Sequence, residues 1–263
     1  MKKERRSVSE TITRMSTLAI LSALGFVLMS FAQFPNPFAP WLKIEVSEIV
    51  TLLAYALYGL PGGIFVAITK TGLNIAVRGL SAMGLGDITA FITSCVFILG
   101  LFLTSHVFKW FKKGLGFRIL SYGVITTLVT VVLTFLNAIF ITPSYLTIFS
   151  EGRLSTCFEP GMIQNVVNYL LKTDSTSVNG WVYIGAICAI YVPFNLLKGA
   201  ICCAAYEILF NRLIFVFMRR SEFFQKYFVG NIFTKKAEEK PAEEEPNSDI
   251  VNEEVKEEEE QNG

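Results

Sequence analysis

Histidine occurs once in 263 residues, tryptophan three times, and cysteine five times without a single CxxC pair. Cys95, Cys157, Cys188, Cys202 and Cys203 thus spell neither a zinc nor a redox motif, and a disulfide framework is not expected. The lone His106 has no partner at metal-ligand spacing, so a satisfied interfacial histidine is the expected reading. No GxxxxGK[ST] loop occurs, which excludes hydrolysis of ATP by the P-loop mechanism within this chain. There is no HExxH and no Ser/His/Asp set. We therefore expect neither a catalytic nor a metal site, and a protein that is not an enzyme. No internal repeat of fixed period is present.

What the chain has is apolar surface: 52% hydrophobic residues, 23 phenylalanines and a mean hydropathy of +0.49. It comes in blocks long enough to cross a bilayer, more than one soluble domain needs. The composition predicts an all-α, polytopic membrane protein with six transmembrane helices. Net charge of +1 conceals a split, because residues 235–263 hold 12 acidic and 4 basic side chains, leaving +9 on residues 1–234. Basic charge beside apolar spans points to the lipid bilayer rather than to nucleic acid. The expected organisation is a basic N-terminus at 1–14, a six-helix domain at 15–220, and a disordered acidic tail at 221–263.

Residues Met15 to Phe34 form the first apolar run. A basic lead and Ser30-Phe31-Ala32 also fit a cleavable signal, but the run is long enough to span and more spans follow. Within it Ala19 and Ala23 stand four apart, either packing inside the bundle or offering a smooth face to a partner helix. Residues 35–46 hold three prolines in six positions, which stops helix and favours extended or turn structure. With Trp41 and Leu42 this loop either anchors at the lipid interface or folds inward over a cavity. Ser47 reads as an N-cap with Glu48 in the first turn. A short span from Glu48 to Gly59 turns through Leu60-Pro61-Gly62-Gly63 into a third that runs to Arg78. Lys70 on that third span is either a mid-depth cation or a lysine reaching the interface. Gly79 to Gly86 is a glycine-rich outer turn, Asp87 opens the fourth span, and the fifth runs from Phe117 to about Ile141. Residues 142–180 form the longest outer segment, in which Met162, Ile163, Val166, Val167, Leu170 and Leu171 mark one face of an interfacial helix or lid. The sixth run extends from Trp181 to Phe217.

Lysine and arginine crowd the N-terminus, the connection around Lys109 to Arg118, and the flank from Arg212 to Lys226. The expected topology is a multi-pass cell-membrane protein with both termini cytoplasmic. Rise per residue then sets depth. Lys198 lies about 20 Å and Asn195 about 24 Å from the inner boundary, and Asn137 about 28 Å above Arg118. All three fall in the outer half of a core about 30 Å thick, beneath the proline loop and near Asp87. Asn195 and Lys198 are three apart and share a helix face. Polar groups at that depth mark either a binding site or glue between helices. Two amides that donate and accept, with an ammonium that only donates, would suit a planar ring with alternating carbonyls and an N–H.

Several stretches carry a resemblance: Pro40-Trp41-Leu42-Lys43-Ile44-Glu45-Val46-Ser47-Glu48-Ile49, the Gly59-Leu60-Pro61-Gly62-Gly63 turn with Lys70 beyond it, Asn137 before Pro143-Ser144-Tyr145, and Pro193-Phe194-Asn195-Leu196-Leu197-Lys198-Gly199. Together they resemble the riboflavin-binding substrate (S) components of energy-coupling factor (ECF) transporters, the RibU family, over residues 15–217. The resemblance implies an S-component bundle of six helices and a riboflavin pocket near the outer surface, riboflavin being cargo and not a cofactor. It implies partnership with a transmembrane coupling subunit and two ATP-binding subunits. Asn137, Asn195 and Lys198 would bond the isoalloxazine ring, Leu42 and Lys43 belong to the loop that shields it, and Gly86 and Asp87 would contribute from the fourth span. Ala19 and Ala23 match the small-residue pair offered to the coupling subunit. Glu45 and Glu48 stand where the family usually has aspartates, and Ile88-Thr89-Ala90 replaces an expected Ala-Asn pair. FMN is a second candidate ligand. The alternatives are an S component for another vitamin, or a membrane scaffold or sensor without transported cargo.

Overall fold

A computed structural model describes residues 8–209 apart from 37, 38, 40, 151, 152 and 175–177. The N-terminal residues before 8, the flank Arg212, Arg219, Arg220 and Lys226, the tail 221–263, and Pro37, Phe38 and Pro40 lie outside the described residues. Helix α1 (Val8–Phe31) leads into two short strands, β1 (Gln33–Pro35) and β2 (Lys43–Glu45). Helix α2 (Ser47–Arg78), α3 (Leu85–Phe102), α4 (Leu115–Leu136), α5 (Thr142–Ser150), α6 (Met162–Leu171) and α7 (Gly180–Tyr206) follow. Among the described residues, five helical runs are long and apolar enough to cross a membrane.

The second of these runs is two limbs. Gly59 breaks it at φ 71°, ψ −163°, a conformation that glycine reaches without steric penalty. A Cβ on Gly62 would stand 2.4 Å from Tyr58 Cβ, so only hydrogen fits inside the corner. Pro61 follows in the first turn of the second limb, where its missing N–H leaves no helical bond unmade. Glu48 and Lys70 each lie eleven residues from Gly59, about 16 Å up their limbs at 1.5 Å per residue, and they meet at 3.1 Å. In a straight helix they would be about 33 Å apart. The limbs therefore fold back on each other, and the described residues form six apolar limbs as the composition predicts.

Lys70 resolves toward the interior. It is fully buried, and its Nζ donates to Glu48 Oε1 at 3.1 Å and to Ser47 Oγ at 3.2 Å. Ser94 Oγ on α3 donates to Glu48 Oε2 at 2.7 Å, so the network joins both limbs to α3. Ser47 is consequently not the N-cap the sequence suggests. Val46 occupies that position without a side-chain cap bond, and the Ser47 hydroxyl serves the lysine instead. Leu18 and Leu21 of α1 pack against Val50, Ala54, Leu57, Tyr58 and Val66 of the two limbs, closing this half of the bundle.

The fifth span does not stop near Ile141. A wide, π-type turn at Asn137–Ile141 carries the helix on into α5 as far as Ser150. Pro143 explains how this is tolerated, since it lacks an N–H and would crowd the carbonyl four residues back. That carbonyl, Ile139, accepts from Cys157 N at 2.9 Å, and the neighbouring Ala138 carbonyl accepts from the Tyr183 hydroxyl. At the other end of the helical pair, Arg118 and Tyr122 both bond Glu207, tying α4 to the segment that follows α7.

Candidate functional site

The first loop folds inward. β1 and β2 pair antiparallel with Phe34 opposite Ile44, a small hairpin that the all-helical expectation lacks. Strand alternation places Lys43 and Glu45 on one face. Ala39 and Leu42 are buried, and the Trp41 ring stacks on Tyr145 at 5.6 Å with 14° between planes. Trp41 Nε1 donates to the Tyr191 hydroxyl at 2.8 Å, and Tyr191 also bonds Thr142. The sequence-predicted helix α6 exists, and its buried face of Met162, Val166, Val167 and Leu170 joins Ala39, Leu42 and α7 in one apolar cluster. The Tyr169 ring of α6 also lies against Trp41, with centroids 5.5 Å apart and the planes tilted by 34°. Helices α5 and α6 thus brace the loop through Tyr145, Tyr169 and the buried face of α6.

Beneath this lid lies a cavity of about 290 Å³, near the lower end of the about 300–1,000 Å³ usual for small-molecule sites. Leu42, Lys43, Gly86, Asp87, Asn137, Asn195 and Lys198 all line it, brought together from the loop, α3, the wide turn and α7. Gly199 lets α7 approach α4 closely, since a Cβ there would stand 2.7 Å from Thr126 Cγ2. Asn195, one turn away, donates to Thr134 Oγ1 at 3.3 Å. Asn137 Nδ2 donates to the Leu133 carbonyl at 2.7 Å, which fixes the amide because that carbonyl only accepts. Its Oδ1 is buried without a hydrogen-bond partner. Asn137 therefore presents an acceptor, suited to a ligand N–H, where the sequence leaves both roles open.

Asp87 is buried and accepts from Asn74 Nδ2 at 2.6 Å; Asn74 Oδ1 in turn accepts from Ser30 Oγ at 2.9 Å. Lys43 is exposed at the rim, bonded to Gln33 Oε1 at 2.9 Å. The fourth-span contribution is thus an acidic group held by an amide, with Thr89, Ala90 and Thr93 also lining the cavity.

Sequence reasoning did not single out Asn74, Arg78, Tyr145, Phe194 or Gln33 as lining residues, and it noted Glu45 only as a departure from the family. Two signals were available. Asn74 and Arg78 continue the i+4 stripe that starts at Lys70, and Glu45 is two residues from Lys43 on a strand. Glu45 is buried with Oε2 unpartnered; burial pushes its carboxyl above the usual carboxylate range, and the charge of Lys198 is the largest influence opposing that. Ala19 and Ala23 take no part in the cavity. Both are exposed along α1, beside Met15, Ile20, Leu24 and Val27.

Known proteins share this arrangement of helices. The chain is 29% identical over 203 residues to the riboflavin transporter RibU of Staphylococcus aureus (strain TCH60), covering 76% of this chain and 89% of that protein. It is 27% identical over 204 residues to the riboflavin transporter FmnP of Bacillus subtilis (strain 168), covering 77% and 92%. The solved S component of a bacterial ECF transporter superposes with a TM-score of 0.53 at 24% identity, over 79% of this chain and 98% of that one, a likeness of fold. Residues 13–210 match the family model of the ECF transporter substrate-specific component. With three quarters of its length inside that match, the chain belongs to the substrate-specific components of ECF transporters.

Proposed function

We propose that this protein binds riboflavin in the cavity beneath the first loop and mediates its uptake as the substrate-specific subunit of an ECF transporter. The observation that carries the reading is the convergence of Asn137, Asn195 and Lys198 on one lidded cavity, in a chain whose relatives are riboflavin transporters. A ring edge with two carbonyls flanking an N–H needs donors on either side of an acceptor. Lys198 and the Asn195 amide supply donors, and Asn137 Oδ1 supplies the acceptor. Leu42, Trp41 and Phe194 cover the ring, and Gly86 and Asp87 meet the polyol end. FMN fits the same reading, with its phosphate toward Lys43 and Arg78 at the rim.

Uptake against a gradient requires partners, because the chain carries no phosphate loop of its own. A transmembrane coupling subunit and two ATP-binding subunits fill that role, and the exposed Ala19 and Ala23 on α1 form the small-residue face for the former. Both termini face the cytoplasm, following the distribution of lysine and arginine.

Equilibrium titration of the purified chain with riboflavin, FMN, thiamine and biotin tests this, read by quenching of flavin fluorescence and by calorimetry. Saturable riboflavin binding is expected. Binding of thiamine or biotin in its place identifies an S component for another vitamin. Binding of none of the four removes the reading.

A further inference from the structure

Glu45 from β2 and Lys198 from α7 line the same cavity, and the Glu48–Lys70 pair from the two limbs of α2 lies near enough to act on Glu45 electrostatically. Each of the other three acts electrostatically on the Glu45 carboxyl, as does Lys43 on its own strand. Their bonding is unequal. Glu48 and Lys70 bond each other, Ser47 accepts a second bond from the ammonium, and Ser94 donates to the second carboxylate oxygen. The ion pairs found among the described residues, Lys70–Glu48 and Arg118–Glu207, do not include Lys198. Asp87, the next carboxylate on the cavity wall, accepts from the neutral Asn74 amide. Glu45 is buried, lines the same cavity as Lys198 with Oε2 lacking a hydrogen-bond partner, and feels Lys198 as its largest charge influence.

A buried ammonium needs a nearby opposite charge, and a buried carboxylate with an unused oxygen needs one equally. In a low-dielectric interior the attraction between them persists beyond contact distance. We propose that Glu45 is the counter-charge of Lys198, a positioning residue that holds the ammonium charged and directed for the ligand without itself touching the ligand. This rests on the reading of Lys198 as a riboflavin-binding group. Glu45 belongs to the loop hairpin and Lys198 to α7, so the pair forms only with the loop seated. Seating of the loop and preparation of the binding ammonium are then one event.

The test is a double-mutant cycle on the full-length chain in detergent, reading riboflavin dissociation constants of the wild type, Glu45→Gln, Lys198→Met and the double variant. Glu45→Gln is expected to weaken binding about tenfold in the wild-type background, within the coupling range of neighbouring groups, and to have no further effect in the Lys198→Met background. Glu45→Asp, which keeps the charge, is expected to restore most of the affinity. A Glu45→Gln loss of equal size in both backgrounds overturns the proposal, because a direct ligand contact or a purely structural role does not depend on Lys198. So does wild-type affinity in Glu45→Gln. If Glu45→Gln does not fold, the same comparison is made with Glu45→Asp, whose smaller loss must also vanish with Lys198→Met. Full affinity in Lys198→Met alone, or no riboflavin binding by the wild type, overturns the site reading and this proposal with it.

Discussion

Lys70 and Lys198 invite comparison, since both are lysines on helices in apolar surroundings and both are buried. Lys70 stands between two limbs of one hairpin, with a carboxylate and a hydroxyl within hydrogen-bond distance. Lys198 lines a cavity, and the counter-charge proposed for it, Glu45, belongs to a different element. A lysine held by a carboxylate and a hydroxyl between two limbs is committed to packing them; one outside the ion pairs of the described residues and facing a cavity keeps donors for a ligand. The same contrast separates the two carboxylates, Glu48 with both oxygens occupied and Glu45 with one unpartnered. Burial is common to all four residues, and it is their hydrogen bonding that differs.

The largest effect expected from this contrast is on folding. Lys70→Met leaves Glu48 charged, buried and short of a partner, a change that typically costs about 3–5 kcal/mol. Thermal unfolding of the detergent-solubilised protein should show a large drop in midpoint, and the fraction that remains folded should still bind riboflavin. A variant with unchanged midpoint and lost affinity would erase the distinction. Lys198→Met should do the reverse, weakening riboflavin binding by about 1–3 kcal/mol, roughly tenfold or more, as the ligand loses a bonding partner. Its unfolding midpoint should fall less than that of Lys70→Met, because the Glu45 carboxyl it leaves behind, already pushed toward its neutral form by burial, can take up a proton. Asn195→Ala belongs with Lys198→Met, and unchanged affinity in both removes the site assignment.

Smaller effects sharpen the picture at the lid. Trp41→Phe keeps a ring to stack on Tyr145 but deletes the donation to Tyr191, worth about 0.5–1.5 kcal/mol. Stopped-flow release of riboflavin should accelerate several-fold, and an unchanged rate would show that α6 and not this bond holds the loop. Smallest is Lys43→Ala, which removes an exposed bond to Gln33 and should change riboflavin affinity by no more than about 0.5 kcal/mol. A tenfold loss would move Lys43 from the rim into the binding set.

Much of this was legible in the residues. Hydropathy marked the limbs, Pro61 and the glycines around it marked the corner, and polar residues at membrane depth marked the cavity wall. The inward fold of the first loop was an open alternative in the sequence, because Trp41 and Leu42 suit an interface as well as a lid; the partner rings of Tyr145 and Tyr169 are over a hundred positions away. Ser47 misled for a related reason. Its local context matches an N-cap, and a lysine 23 residues on, returned by the hairpin, outcompetes the backbone for its hydroxyl. The continuation of the fifth span past Pro143 was hidden because the compensating donor, Cys157 N–H, belongs to a segment with no regular pattern.

The wide turn at Asn137–Ile141 has a consequence for how this helix is phased. One extra residue in a turn rotates everything beyond it by about 100° relative to an uninterrupted α-helix. Beyond the turn Tyr145 stacks on Trp41, while before it Thr134 bonds Asn195 of α7. The helix thereby faces α7 with Thr134 and the first loop with Tyr145. Excising one residue between 138 and 141 would swing the tyrosine away from the indole and uncouple the outer lid from the wall beneath it.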